Sequence, residues 1–165
     1  AREALTILRD PAFAPLFGKL PHLAHVIVSG GGPGSHVALA ALMAAADSNC
    51  TDAARALLNA GADVNLGFPG VGTPLSVAAD NNAMPIAQLL LNRGADVNAF
   101  VPGHDTPLVR AVREGELDMV KLLVEKGADV NLASRVGSST KPLKMAERHG
   151  NDDIAAYLRS KGAAQ

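Results

Sequence analysis

The chain has 165 residues, 48 % of them apolar but only 3 % aromatic, and a net charge of −1. That length is about one domain, its core must be built from Ala, Leu, Val and Ile, and the near-neutral charge excludes an overall basic field that would draw in nucleic acid or acidic lipid. The single cysteine, Cys50, excludes an internal disulfide and suits a reducing compartment, so a cytoplasmic location is expected.

One pentapeptide, GADVN, occurs at 61–65, 94–98 and 127–131, and Thr-Pro-Leu occurs at 73–75 and 106–108. Both recur at a stride of 33, the mark of a repeat protein. Lys141-Pro142-Leu143 arrives two residues late, so the loop before it carries an insertion.

Taken in this register, residues 1–9 read as a leading helix or the remnant of an earlier repeat. A degenerate repeat follows at 10–31. Asp10 stands as N-cap before Pro11, and PHLAHVIVSGG (21–31) forms a second helix that ends at Gly31. Further units lie near 37–65, 70–98, 103–131 and 138–163. Thr73 and Thr106 cap first helices that run to about Asp80 and Glu114. The next positions, Asn49, Asn82, Gly115 and Gly150, hold only residues that tolerate a left-handed backbone, which predicts a helix-ending turn. Second helices follow, with Ile86/Leu89/Leu90 and Val120/Leu123/Val124 at helical spacing, closed by Gly61, Gly94, Gly127 and Gly162. FPGVG (68–72) and VPGHD (101–105) are tight turns, read as hairpin-like fingers between helix pairs. In the terminal unit, Arg148, Asp152, Asp153, Arg159 and Lys161 make the outside polar, as a cap requires.

The apolar runs 20–28 and 37–46 are far short of the roughly 20 residues of a membrane span, so no membrane insertion is expected. The chain does not begin with Met, and a fragment is expected.

Candidate chemistry is thin. GGGPGSH (30–36) lacks the Lys-Ser/Thr ending of a phosphate-binding loop. His22 and His25 with Cys50 are a conceivable zinc set without a fourth ligand. Cys50 has no oriented base and occupies the turn where Ala83 and Glu116 stand in other repeats. Asp152 and Asp153 are adjacent on a helix and point apart. No catalytic residue, no cofactor site and no metal site is assigned.

The turn, the TPL helix start, the second helix and the GADVN exit together resemble the ankyrin repeat family, clearly over residues 37–163. The resemblance implies an all-α solenoid of stacked helix pairs with projecting β-hairpin-like fingers. One continuous domain would divide into an N-terminal part (1–36), three regular repeats (37–137) and a C-terminal capping repeat (138–165). The family's motif His is replaced by Ser76, Val109 and Lys144, so the resemblance does not carry over the hydrogen bonds that this His makes in the family. The GADVN asparagines have two readings. One is structural, bonding backbone at the finger root. The other comes from the family, where some are hydroxylated in animal cells; Leu57, Leu90 and Leu123, eight residues earlier, match that enzyme's preference.

The resemblance further implies a non-catalytic module, expected to be monomeric, that binds another protein through the concave face of fingers and first helices. Positions that vary while the frame holds are the candidates: Asp47, Ser48, Phe68, Val71, Asp80, Asn81, Phe100, Val101, His104, Asp105, Arg113, Glu114, Arg135, Arg148 and His149. Phe68 and Val101 are either exposed tips or packing between fingers. Charge reversal at Arg113 with Arg148 is expected to weaken binding without unfolding. The alternative is a regulatory or terminal domain of a larger enzyme or membrane protein that contacts its own chain.

Overall fold

The computed structural model describes residues 34–59, 62–134, 136 and 140–164. The leading helix, the degenerate repeat at 10–31, His22, His25, the cap at Gly61 and Arg135 lie outside them. Among the described residues eight helices run as four pairs: α1 (Gly34–Asp47) and α2 (Thr51–Asn59), α3 (Pro74–Asp80) and α4 (Met84–Asn92), α5 (Pro107–Glu114) and α6 (Leu117–Glu125), α7 (Pro142–His149) and α8 (Asp152–Ser160).

Local chemistry sets the ends of these helices. Thr73 accepts a hydrogen bond from the Ser76 amide, and the Ser76 hydroxyl accepts one from the Thr73 amide at 2.8 Å, a reciprocal capping box. Ser76 therefore fills the motif His position with a cap of its own. At the next repeat Val109 supplies no such return bond, and Thr106 caps alone, accepting from the Val109 amide at 3.4 Å. Lys141 starts α7 with no side-chain cap. Pro74, Pro107 and Pro142 occupy first helical positions, where a missing N–H costs no intrahelical bond. The inter-helix turns have the expected left-handed residues, with φ of 52° at Asn49, 50° at Asn82, 80° at Gly115 and 72° at Gly150.

The first helices α1, α3, α5 and α7 each pack on the next, and second helices meet in α2–α4 and α6–α8. One core runs through the stack, centred on Leu42, Leu57, Leu75, Ile86, Leu90, Leu108, Met119, Leu123, Leu143, Ile154 and Leu158. Both rows mix small and large buried side chains: the first helices carry Ala45, Ala46, Ala78, Ala79, Ala111 and Ala146 beside Leu42, Leu75, Leu108 and Leu143, and the second carry Ala53, Ala54, Ala87 and Ala155 beside Leu57, Ile86, Leu123 and Ile154.

The GADVN asparagines act between repeats rather than only at the root of their own finger. Asn65 donates from Nδ2 to the Gly94 carbonyl and accepts at Oδ1 from the Asp96 amide at 2.7 Å. Asn98 repeats this with Gly127 and Asp129, and Asn131 with Gly162 and Ala164. Each preceding aspartate (Asp63, Asp96, Asp129) accepts from the amide of its own asparagine at 2.8–2.9 Å, fixing the turn that aims the amide. The result is a ladder along one edge, one rung per repeat.

Candidate interaction surface

The finger at 67–73 is closed by two backbone bonds between Phe68 and Gly72, both 3.0 Å. It leans on the following finger: the Gly70 amide donates to the Pro102 carbonyl at 2.7 Å. A side-chain carbon at Gly67 would lie only 2.6 Å from Val101 Cγ1, so Val101 packs against the base of the first finger. Phe68, Phe100 and Val101 are half-buried, and the packing reading holds for Val101. The exposed tip of the first finger is Val71, 52 % accessible.

Two residues expected at the surface lie beneath it. His104 is 7 % and Asp105 2 % accessible. The imidazole fills the space over Gly72 and Ser76, where a carbon on Gly72 would come within 2.8 Å of the ring. Its Nδ1 lies 3.1 Å from the Asp105 carbonyl. Burial pushes the imidazole below its ordinary value of 6.5, against the opposing hydrogen bond at that carbonyl; Arg110 lowers it further, while Asp80 and Asp105 pull the other way. Asp105 accepts from Arg113 at 2.5 Å and from the Ser134 hydroxyl at 2.7 Å. A hydroxyl beside a carboxylate is half of a nucleophilic pair, but both groups are buried and the second carboxylate oxygen is held by Arg113. The bond fastens Ser134, in the loop that precedes α7, to the second finger.

Arg113 is thus an internal anchor, and its charge reversal would leave two acids facing each other under the finger. The expectation that it can be reversed without unfolding is corrected on that ground. Asp80 is likewise engaged, in a two-pronged ion pair with Arg110 across α3 and α5. Asn81 donates to the Val77 carbonyl at 3.0 Å and to Asp47 at 3.3 Å. Ser48 is half-buried in the first inter-helix turn. Glu114, Arg148 and His149 are exposed at the ends of α5 and α7.

Arg110 and Ser134 were not among the sequence candidates; Gly72 was one of the finger positions that vary between repeats, but as a surface position. Arg110 was findable: it lies one repeat less one helical turn after Asp80, which puts it on the neighbouring face. The role of Gly72 was hidden because a glycine that clears space for a side chain in another repeat looks like any turn glycine. Cys50 is half-buried, and no group of three or more His, Cys, Asp or Glu at metal-holding distance occurs among the described residues. Asp152 and Asp153 are exposed in the first turn of α8, where carboxylates suit the helix's positive end.

A family model for ankyrin repeats, three copies long, matches residues 16–101, 42–134 and 102–165. The chain belongs to the ankyrin repeat family. No curated protein matches it closely enough to count as a relative. Ankyrin repeats are generally protein–protein interaction modules and generally non-catalytic. Among the described residues no helix is long and apolar enough to cross a membrane.

Proposed function

We propose that this chain is a non-catalytic ankyrin module that holds another protein against the face formed by the finger tips and the ends of the first helices. The observation that carries this is a contrast in use. Within the ladder, capping threonines and core, side chains are committed to the fold. Along the first-helix ends and finger tips, the exposed residues Asp47, Val71, Asn81, Glu114, Arg148 and His149 change from repeat to repeat. Varied side chains on an invariant, rigid frame are what selective binding needs.

The test is affinity capture from native extract. Glu114→Lys and Val71→Asp alter the proposed face at exposed positions. Arg55→Glu and Lys126→Glu alter exposed positions on the second-helix side. Loss of the captured protein with the first pair and retention with the second supports the reading. Retention with the first pair, or equal loss with both, rejects it.

A further inference from the structure

The first two fingers meet along their whole length. Val101 packs over Gly67 at the base, and the Gly70 amide donates to the Pro102 carbonyl at 2.7 Å. A carbon on Gly103 would stand only 3.3 Å from Gly70, and the His104 ring fills the gap over Gly72. Of these residues His104 alone takes up a proton near neutral pH. Its Nδ1 lies 3.1 Å from the Asp105 carbonyl, which only accepts. The neutral ring therefore carries its hydrogen on Nδ1 and takes a second proton at Nε2. No described residue gives Nε2 a hydrogen bond.

The site offers an imidazolium no free counter-charge. The charged groups facing it are Asp80 on α3, Arg110 on α5 and Asp105 beside it in the finger. Both carboxylate oxygens of Asp80 are held by Arg110. Those of Asp105 are held by Arg113 and by the Ser134 hydroxyl. The Ser76 hydroxyl, at the same gap, is closed onto the Thr73 amide and carbonyl. A charged ring in a 7 % accessible site loses water and gains no unshared partner. Burial first, then Arg110, holds the imidazole below its ordinary value against the carbonyl and the two acids. The way out is short. Pro102 and Gly103 are exposed, and Gly103, at φ 78°, gives the chain a pivot directly before the ring. Asp105, directly after it, stays tied to Arg113 and Ser134, so the ring can leave while α5 keeps its place.

We propose that His104 is a proton-operated latch between the first two fingers. With a neutral ring it sits over Gly72 and keeps Pro102 against Gly70. Protonated at Nε2 from water, the ring swings out to solvent and the Gly70–Pro102 bond opens. The exposed Val71 tip then loses the support that presents it to a partner, and acid releases the bound protein. The seated state binds fewer protons than the open one, so closure is favoured at neutral pH and opening gains as pH falls. This rests on the reading of the chain as an interaction module and adds its regulation.

The probe is the proton, and the readout is the amide and histidine-ring NMR signals of the whole chain between about pH 7.5 and about pH 5. The amides of Gly70, Val71, Gly72 and Gly103 are expected to move with one midpoint, shared with the His104 ring and below about 6.5. The Gly70 amide, freed from Pro102, should lose protection from solvent exchange over the same range. The amides of Leu90 and Leu123, in second helices, should hold. His104→Gln should abolish the finger movement. Finger amides that do not follow the His104 ring, a Gly70 amide that stays protected, or movement only together with Leu90 and Leu123 each overturn the latch. The wild-type titration decides this even if His104→Gln folds poorly. Capture from native extract separates the two claims. The amount held by wild type should fall about fivefold or more on acidification, the lower end of coupling between two sites, and that held by His104→Gln should not. A protein that is lost with Val71→Asp yet held equally at both pH values overturns the latch and leaves the interaction module standing.

Discussion

The fingers at 67–73 and 100–106 share one frame and use it in opposite ways. Val71 and His104 are register equivalents, yet the first is half in solvent and the second 7 % accessible. Gly72 and Asp105 are equivalents too. The glycine leaves a gap, with φ of 114°, and the aspartate is a buried anchor. The two differences are one arrangement. Gly72 carries no side chain, so His104 of the following finger drops into the space, and the turn of the second finger brings Asp105 inward to Arg113 and Ser134. A finger's exposure is therefore decided by its neighbours on both sides, not by its own turn.

The strongest way to break this contrast is at Asp105. Asp105→Ala leaves Arg113 and Ser134 facing an empty pocket and should destabilise the protein by about 3 kcal/mol. That is the lower part of the range for removing one member of a buried pair, because Arg113 keeps 28 % side-chain exposure. Asp105→Asn, which keeps an oxygen for Ser134, should lose less. Chemical denaturation measures both, and equal stability of Asp105→Ala and wild type would show that the second finger is not anchored there.

At the equivalent place in the first finger, Gly72→Ala should cost about 2–3 kcal/mol, the sum of left-handed strain and overpacking. The added carbon meets Ser76 and the His104 ring. Gly103→Ala, also left-handed but 3.3 Å from its nearest neighbour, is the milder control. If the two alanine variants unfold at the same denaturant concentration, the gap over Gly72 is not what seats His104.

Much of this frame was legible from the repeats alone. Helix ends at Asp80 and Glu114, left-handed Asn49 and Asn82, and threonine caps all follow from local backbone chemistry, which a repeated sequence displays several times over. The ankyrin resemblance supplied the stacking. The inter-repeat roles of Asn65, Asn98 and Asn131 were half visible. Backbone bonding was expected, but the partner lies 29 residues away at Gly94 or Gly127, which no local pattern encodes. His104 and Asp105 were misplaced because polar residues beside Pro-Gly look solvent-facing, and only the neighbouring finger reveals that they are covered.

Asn98→Ala removes one rung of the ladder that all fingers share. The Gly127 carbonyl and the Asp129 amide lose their partner, at about 1–2 kcal/mol for groups still partly reached by water. Hydrogen exchange should accelerate at Asp129 more than at Asp96, whose own rung to Asn65 is intact. Uniform acceleration would mean that the rungs do not act one by one.

Acid separates the fingers more gently. The folded protein holds His104 below the ordinary imidazole value, so the unfolded chain binds more protons between the two values and stability rises with pH across that window. Stability is accordingly lost as pH falls below about 6.5 towards the folded value. Against His104→Gln, wild type should lose additional melting temperature on going from about pH 7.5 to about pH 5.5. Parallel curves for the two proteins would show that the covered imidazole does not feel its burial.

The smallest effect on stability is expected at Val71. It is exposed, so Val71→Ser should change unfolding by no more than about 0.5 kcal/mol, the ordinary surface value. Its register partner gives the reference: His104→Ser empties a buried site and should cost more. If Val71→Ser destabilises as much as His104→Ser, the first finger is covered in solution and its tip is not free for a partner. If Val71→Ser leaves folding intact and still releases a captured protein, the same register position serves binding in one finger and architecture in the next.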